Sequence, residues 1–567
     1  MPVPTLQRPI TGHGRRQPTT IMADSADHDP RPSTRPATPA PGLRARLSRL
    51  VAPSRISVGA DRAIKLALLA IPIAWMVGYL FPPINHDVGA VMDVAHRWLG
   101  GERLYVDIID VNFPLVFVVY AVPELLARAL GGSAVVWLNA CLIGAVLVSF
   151  AVCRHLVHLI PSTRHPLTEA LLPPVILFAL AVLPNDMFGQ REHIMLIASM
   201  PYLLLAGARA EDAPAGRFLS VGIGIAAGIG FGLKPFFLFI PLFVELYLLA
   251  VRGPRRTFTD LVPWSIAAMM AIHALIAVFV TPAYLDTVLP LVAELYGEVG
   301  GSTWSVLTGR LVLPTLIAWA CIGGLAFFLS RSRLVRAIIL YGAAALLSAI
   351  LQAKGWKYHM LPALAAVLLL GSTALAQMAD RFLPIERVLH RLPVAGITAS
   401  FLALLYYQAA LFNPPFYKQI EFEDSITETL IHVVEQYAPN KRILVLSPGI
   451  YPYYPLVNYT GVRMAMRFQT MWPLQGVYHE CDEQGDIYNP PERMSSEERM
   501  VFDSVSEDFA RLRPDLVIVD NIPGIPECGP EPFSYLTYFK RHPKFGQAFA
   551  RYELLLDLNQ FSVYRRR

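Results

Sequence analysis

Apolar runs long enough to cross a lipid bilayer recur along most of this chain. A transmembrane helix needs about 20 predominantly apolar residues, and eleven runs approach that length. They lie near residues 62–81, 134–153, 168–184, 193–209, 217–233, 235–251, 260–281, 306–329, 334–351, 358–378 and 393–412. The pattern predicts a mainly α-helical polytopic bundle of about eleven spans. Because Pro and Gly interrupt several runs, counts of ten to thirteen fit the same pattern.

A twelfth apolar stretch, residues 113–130, is interrupted by Pro114, Pro123, Glu124 and Arg128. The arginines of the later loops decide where it lies. If 113–130 does not span, the arginine-rich loops fall on the cytoplasmic side, as the positive-inside rule requires. If it spans, they fall outside. We therefore expect this stretch to lie at the membrane interface, with the N-terminus of the chain in the cytoplasm.

Composition divides the chain into three regions. Residues 1–58 are rich in Pro, Arg, Thr and Ala with almost no aromatic residues, which is typical of a disordered tail. Residues 59–412 hold the apolar runs. Residues 413–567 alternate helical stretches with apolar strand-like runs such as Leu516-Val-Ile-Val-Asp520, which predicts a small α/β domain. An odd number of spans places that domain outside the cell membrane.

Overall composition agrees with a membrane protein. Hydrophobic residues make up 54% of the 567 residues and charged residues 16%, and the net charge of +5 suggests membrane orientation rather than a nucleic-acid partner. The five cysteines show neither CxxC nor Cys/His metal spacing, which argues against a zinc site. Cys481 and Cys528 both lie in the C-terminal region, where export would permit a disulfide.

Polar clusters occur in the loops that this topology places outside. The first loop, residues 82–114, carries Asp87, Asp107 and Asp110 around an amphipathic helical pattern. Loops are usually polar, but these loops are short, mix acids with bases and share one side of the membrane. We therefore expect one site that combines the first loop with residues 185–193, Lys234-Pro235, 294–304 and 354–359.

The first loop resembles that of the GT-C glycosyltransferases. Asp87 follows the first span, then come an amphipathic helix, Gly-Gly-Glu-Arg-Leu-Tyr-Val-Asp, and Asn-Phe-Pro-Leu opening an interfacial helix. Asp186 after the third span, Lys234-Pro235 after a Gly-rich fifth span, Trp356-Lys357-Tyr358-His359 and the C-terminal domain continue the likeness over residues 62–567. The nearest branches are the protein O-mannosyltransferases, the lipid A aminoarabinose transferases and bacterial enzymes that modify lipopolysaccharide.

Two features depart from that family. Its common Asp-Glu pair is here His86-Asp87, and Val88 stands where the Glu would be. A family-like role for a second carboxylate at this position is therefore in doubt. The run Gln190-Arg191-Glu192-His193 also differs from the protein mannosyltransferases, which is consistent with a separate substrate branch.

The resemblance implies an integral-membrane hexosyl- or pentosyltransferase in the bacterial inner membrane. It would move a sugar, with inversion, from a polyprenyl-phosphate carrier to a hydroxyl of a glycan, lipid or protein on the outer (periplasmic) face. This chemistry needs a base for the acceptor, and positive charge or a divalent metal at the departing phosphate. No cofactor is certain, and a divalent metal ion held by Asp87 and Asp186 stays open.

The resemblance also assigns expected roles to residues. Asp87 is the candidate base, although an Asp before an amphipathic helix also serves as an N-cap. The candidate supporting acids are Asp107, Asp110, Asp186 and Glu192. The candidate phosphate- or donor-binding residues are Arg191, His193, Lys234, Lys354, Lys357 and His359. Trp356 and Tyr358 are expected to contact sugar or lipid, although such rings also anchor helices at the membrane interface.

Two other classes stay open. A transporter or flippase would carry charge near mid-membrane and repeated halves, whereas this sequence concentrates charge at one interface and shows no duplication. A polysaccharide polymerase or ligase that uses polyprenyl-linked donors would often carry a large outer loop late in the chain. Loop 282–304 is only moderate in size.

Overall fold

A computed structural model describes residues 70–567, apart from residues 165, 214, 298, 383–399, 401–402, 406, 408, 410–413, 482–485 and 529–530. The described residues belong to one compact unit, residues 53–567. The predicted tail 1–58 lies outside the described residues, and the predicted spans 62–81 and 393–412 lie partly outside them.

The membrane module is built from eleven of the longer helices in the described part of the chain. They are α1 His86–Leu99, α2 Pro114–Leu130, α3 Ala134–Leu159, α4 Pro166–Ala181, α5 Arg191–Ala210, α6 Arg217–Phe231, α7 Phe239–Arg252, α8 Leu261–Leu275, α9 Val312–Leu329, α10 Arg333–Leu351 and α11 Leu361–Phe382.

Seven helical segments among the described residues are long and apolar enough to cross a membrane. They are Ala134–Leu159, Arg191–Ala210, Pro235–Arg252, Leu261–Val280, Val312–Leu329, Arg333–Leu351 and Lys357–Met378. Two shorter apolar helices, Leu167–Ala181 and Arg217–Phe231, coincide with predicted spans, whereas α2 is not among them. The predicted fold class is confirmed. The exact span count stays a prediction, because two expected spans are only partly described.

The C-terminal region is an α/β domain around one five-stranded sheet. Its strands are β1 Arg442–Leu446, β2 Arg463–Met464, β3 Leu516–Asp520, β4 Tyr552–Asp557 and β5 Phe561–Arg566. The strand order is β2-β1-β3-β5-β4, with β1 parallel to β2 and β3, and β5 antiparallel to β3 and β4. The helices around the sheet are α12 Pro415–Glu423, α13 Ile426–Tyr437, α14 Tyr453–Thr460, α15 Trp472–Val477, α16 Ser496–Leu512, α17 Tyr535–Lys540 and α18 Pro543–Phe549.

Helix α1 lies between the other helices of the membrane module and this C-terminal domain. Asn85 caps it by accepting hydrogen bonds from the backbone N–H of Asp87 (2.9 Å) and of Val88 (3.3 Å). Nine of its 14 residues are buried. Among the described helices it packs mainly against α2 of the membrane module and α14 of the domain.

Polar contacts fix helix α1 against the domain. The Tyr454 hydroxyl donates to Asp93 Oδ2 (2.9 Å), and Asn458 Nδ2 donates to the carbonyl of Gly89 (3.0 Å). Burial raises the pKa of Asp93, although the charge of Arg97 and the Tyr454 hydroxyl oppose that shift. The first loop, residues 82–114, and the domain thus form one packed unit.

Gly89 offers a direct test of this packing. A Cβ at Gly89 would lie 2.6 Å from Asn458 Oδ1 and 3.3 Å from Tyr454 Cβ, so Gly89→Val should disturb the contact that Asn458 makes. Overpacking of this kind costs about 1–3 kcal/mol. We expect a lower thermal unfolding midpoint in detergent. In the control Gly144→Val, on α3, the added Cβ meets no atom within 4 Å. Equal midpoints for the two variants would contradict the described packing.

Candidate active site

Asp87 lies where the beginnings of helices α1 and α5 meet. Gln190, the residue before α5, donates from Nε2 both to Asp87 Oδ2 and to Asn85 Oδ1, each at 2.9 Å. Asn85 Nδ2 in turn donates to the backbone carbonyl of Asp186 (2.7 Å). The buried amide of Gln190 therefore orients the candidate base. Through Asn85 it also connects that base to the turn that follows α4.

A second group joins the end of the first loop to helix α5. Arg191 donates from Nη1 to Asn112 Oδ1. The backbone N–H and the side-chain amide of Asn112 both donate to Asp110 Oδ1, each at 2.7 Å. Burial raises the pKa of Asp110, against the opposing hydrogen bonds of Asn112 and the charge of Arg191. Asp110 thus orients Asn112, which holds the Arg191 guanidinium.

A third group surrounds the ammonium of Lys234. Its Nζ donates to Glu192 Oε1 (2.5 Å) and Gln352 Oε1 (3.1 Å), and lies 3.2 Å from His359 Nε2. Glu192 is fully buried. The Tyr358 ring lies 5.2 Å from the same Nζ. The turn after α6 therefore presents its cation to residues from α5, the end of α10 and the 3₁₀ helix Lys357–Met360.

These groups lie close enough to act on one another electrostatically. The negative charge of Asp87 lies close enough to interact with the positive charges of Arg191 and Lys234. The positive charges of Arg191 and Lys354 likewise lie close to the imidazole of His359. Lys354 Nζ itself donates to the backbone carbonyls of Tyr296 (2.6 Å) and Val299. The structure thus brings together one polar cluster from residues far apart in sequence: Asp87, Asp110, Arg191, Glu192, Lys234, Lys354, Tyr358 and His359.

Asp186 forms a neighbouring group at the edge of this cluster. Lys357 donates to Asp186 Oδ2, and Lys418 Nζ lies 3.8 Å from the same oxygen. Lys418 belongs to helix α12, so the C-terminal domain contributes a cation here. Asn85 links this group to Asp87.

Three predicted site residues have different surroundings. Asp107 is bound by its neighbour Arg103, with its Oδ2 2.9 Å from the Arg103 Nε. Both ring nitrogens of His193 face the backbone: the N–H of Gly189 donates to Nδ1 (3.0 Å), and Nε2 lies 2.8 Å from the Leu180 carbonyl oxygen. Trp356 is 39% exposed, with its ring centroid 5.6 Å from that of His359.

Cys481 and Cys528 are joined by a disulfide in the C-terminal domain, with Cα atoms 5.2 Å apart. This is the pairing that an exported domain permits.

No group of three or more His, Cys, Asp or Glu side chains in the described part of the chain is arranged to hold a metal ion. Asp87 and Asp186, the candidate ligands, are instead engaged by Gln190 and by Lys357 and Lys418 respectively. In this arrangement lysines already neutralise the carboxylate of Asp186.

Several residues of the site were given no role from the sequence. Asn85 and Asn112 lie in the polar clusters of the first loop, and an Asn before an amphipathic helix, such as Asn85, is a common N-cap. Gln352 and Lys418 carry no signal, because only the tertiary fold brings them to their charged partners.

The fold is similar to that of a solved membrane protein, as the resemblance in the first loop led us to expect. A crystal structure of ArnT from Cupriavidus metallidurans bound to undecaprenyl phosphate is similar to this chain with a TM-score of 0.54 and 13% identity. The similarity extends over 88% of this chain and 97% of the ArnT chain. The apo structure of the same protein gives 0.53 and 14%, covering 89% and 98%. No protein-family model matches the sequence, and no curated protein matches it significantly.

The Lys234–Glu192 pair allows a test of how the site is held together. Lys234→Met would leave the carboxylate of Glu192 buried without its cation, which typically costs about 3–5 kcal/mol. Removing both charges with Lys234→Met/Glu192→Gln should recover most of that loss. Thermal unfolding of the two single variants and the double variant measures the coupling. A loss in the double variant that equals the sum of the two single losses would show that the two side chains do not interact.

Proposed function

We propose that this chain is a membrane glycosyltransferase that moves a sugar from a polyprenyl-phosphate carrier to an acceptor hydroxyl, with inversion and with Asp87 as base. The observation that carries the proposal is the polar cluster itself. An oriented carboxylate and several cations meet where apolar helices end, in a fold shared with a protein crystallised with undecaprenyl phosphate.

An apolar cleft beside Lys234 suits a lipid-linked donor. The cleft has a volume of about 200 Å³, and its walls are mostly hydrophobic side chains of α6, α8 and the turn after α6. Lys234 also lines it, and among the described lining residues it is the one Lys, Arg, Asp or Glu. A polyprenyl phosphate would place its tail against these walls and its phosphate at the ammonium of Lys234, with Arg191 close by.

The proposed reaction is a direct displacement at the anomeric carbon of the sugar. The acceptor oxygen attacks the anomeric carbon while the bond from that carbon to the phosphate oxygen breaks. The hydroxyl proton passes to the carboxylate of Asp87, which Gln190 orients. The departing phosphate gains negative charge beside Lys234 and Arg191, and fixed cations stabilise such charge most where water is scarce.

The location of the enzyme is part of the proposal. We place it in the bacterial inner membrane, with the C-terminal domain and the site on the periplasmic face. The arginine distribution and the Cys481–Cys528 disulfide support this orientation.

The base can be tested by Asp87→Asn, which keeps the shape of the side chain but removes its basicity. We expect transfer to fall by about 10²–10⁴-fold, the usual contribution of a general base, with binding of polyprenyl phosphate retained. Mass spectrometry of lipids that copurify with the wild-type protein would first identify the sugar donor. Asp212→Asn is the control, because Asp212 forms only an exposed ion pair with Arg256. Full transfer by a folded Asp87→Asn protein would refute the assignment.

The orientation can be tested independently of activity. A C-terminal alkaline phosphatase fusion should be active and a C-terminal fluorescent protein dark, because only the phosphatase matures in an oxidising compartment. The opposite pattern would place the domain and the site in the cytoplasm. Expression levels of both fusions provide the control.

A further inference from the structure

A small polar cavity lies beside the candidate base and has no part in the reaction as described above. It is enclosed by the outer end of the first apolar segment, the start of α1, α3 and the turn after α4, and its volume is about 40 Å³. That is room for about three water-sized groups. Its polar lining residues are Tyr79, Asn85, Asn139, Asn185, Asp186 and Lys418.

Asn139 is the unusual member of this lining. It lies near the start of the membrane helix α3, on the buried side that also carries Leu138, Leu142 and Val146. The residue is only 3% exposed, and its Nδ2 has no hydrogen-bond partner among the described residues. A buried donor without a partner destabilises a protein, and a polar side chain in a membrane helix is rare unless it serves a function. The unpartnered amide therefore indicates a ligand.

The remaining walls indicate the chemistry of that ligand. The rings of Tyr79 and Phe188 stack at 3.9 Å between centroids. The carboxylate of Asp186 is already paired with Lys357 and Lys418. The cavity thus offers amide groups, an aromatic wall and a carboxylate that is already paired with lysines. Such surroundings suit a hydroxyl-bearing group, because the Asn139 amide can donate to the hydroxyl oxygen.

The position of the cavity indicates which substrate enters it. Asn85 lines the cavity and shares the Gln190 amide with Asp87, whereas Lys234 lines the separate apolar cleft. Inverting displacement brings the acceptor to the face of the sugar opposite the leaving group. If the leaving phosphate lies at Lys234, the acceptor reaches Asp87 from the side of Asn139.

We propose that this cavity is the acceptor subsite, and that it binds a hydroxyl-bearing group of a lipid-linked glycan through Asn139. The inference rests on the function proposed above. The lipid anchor follows from the rest of the lining: Phe81, Pro83, Ile84 and Pro415 are apolar, and Phe81, at the end of the first apolar segment, is 54% exposed. A polar cavity with an apolar border beside a membrane segment fits an amphiphile better than a soluble protein.

The test uses the full-length protein in lipid nanodiscs with Asn139→Leu. Transfer of labelled sugar from undecaprenyl phosphate to a total lipid extract of the source cells should fall by about tenfold, the worth of one good hydrogen bond, through a higher KM for the extract. Binding of undecaprenyl phosphate should be unchanged. The thermal unfolding midpoint should stay the same or rise, since an unpartnered amide is removed. Asn139→Ala, which adds no bulk, gives the same readout if the leucine variant does not fold.

Ser149→Ala is the matched control, because Ser149 lies on the same side of α3 but donates to the Ile197 carbonyl (2.7 Å). It should retain the wild-type KM. Wild-type transfer by Asn139→Leu, weaker binding of undecaprenyl phosphate by that variant, or label found only in protein would each overturn the acceptor subsite. A wild-type protein that does not bind undecaprenyl phosphate would instead overturn the proposed function.

Discussion

The enclosure of helix α1 is the constraint on which the rest of the structure depends. The first turn of this helix lies in the candidate site, while its body is bound to the C-terminal domain through Tyr454 and Asn458. Asn85 serves both regions, since it caps the helix and accepts from Gln190. A shift of α1 would therefore move Asp87 relative to α5. In physical terms the domain stabilises the geometry of a membrane site, whatever else it does.

Charge compensation is the second constraint on the site. Buried charges are costly unless each has a partner, and the pair Lys234–Glu192 meets that requirement. Asp186, which is only partly buried, is paired with Lys357 and Lys418. These pairs hold the site together without a ligand. An arriving phosphate would compete with Glu192 for the ammonium of Lys234. Under the proposed function, the affinity for a donor would reflect the difference between two interactions of one lysine, and not the strength of either alone.

Sequence reasoning located the elements better than the contacts. Apolar runs such as 134–153 and 334–351 predict α3 and α10, because length and hydrophobicity alone decide whether a helix can span a bilayer. The same pattern predicts that Asp87, Arg191 and Lys234 lie on one side of the membrane. It does not predict the pairing of Lys234 with Glu192 or of Lys418 with Asp186, because those contacts depend on how the helices pack. Asn139 was missed because one Asn in an apolar run hardly changes its hydropathy.

Several buried polar atoms of this site lack a hydrogen-bond partner among the described residues. They include Gln190 Oε1, Glu192 Oε2, His359 Nδ1 and Asn139 Nδ2. Each costs stability, and folded proteins satisfy most such groups. Gln190 and Glu192 contact the candidate base and the candidate phosphate-binding lysine, so the cost falls where substrate polar groups would arrive. Sites that violate local rules for stability are expected where function requires them. On that argument, the unpartnered amide of Asn139 marks an extension of the same site.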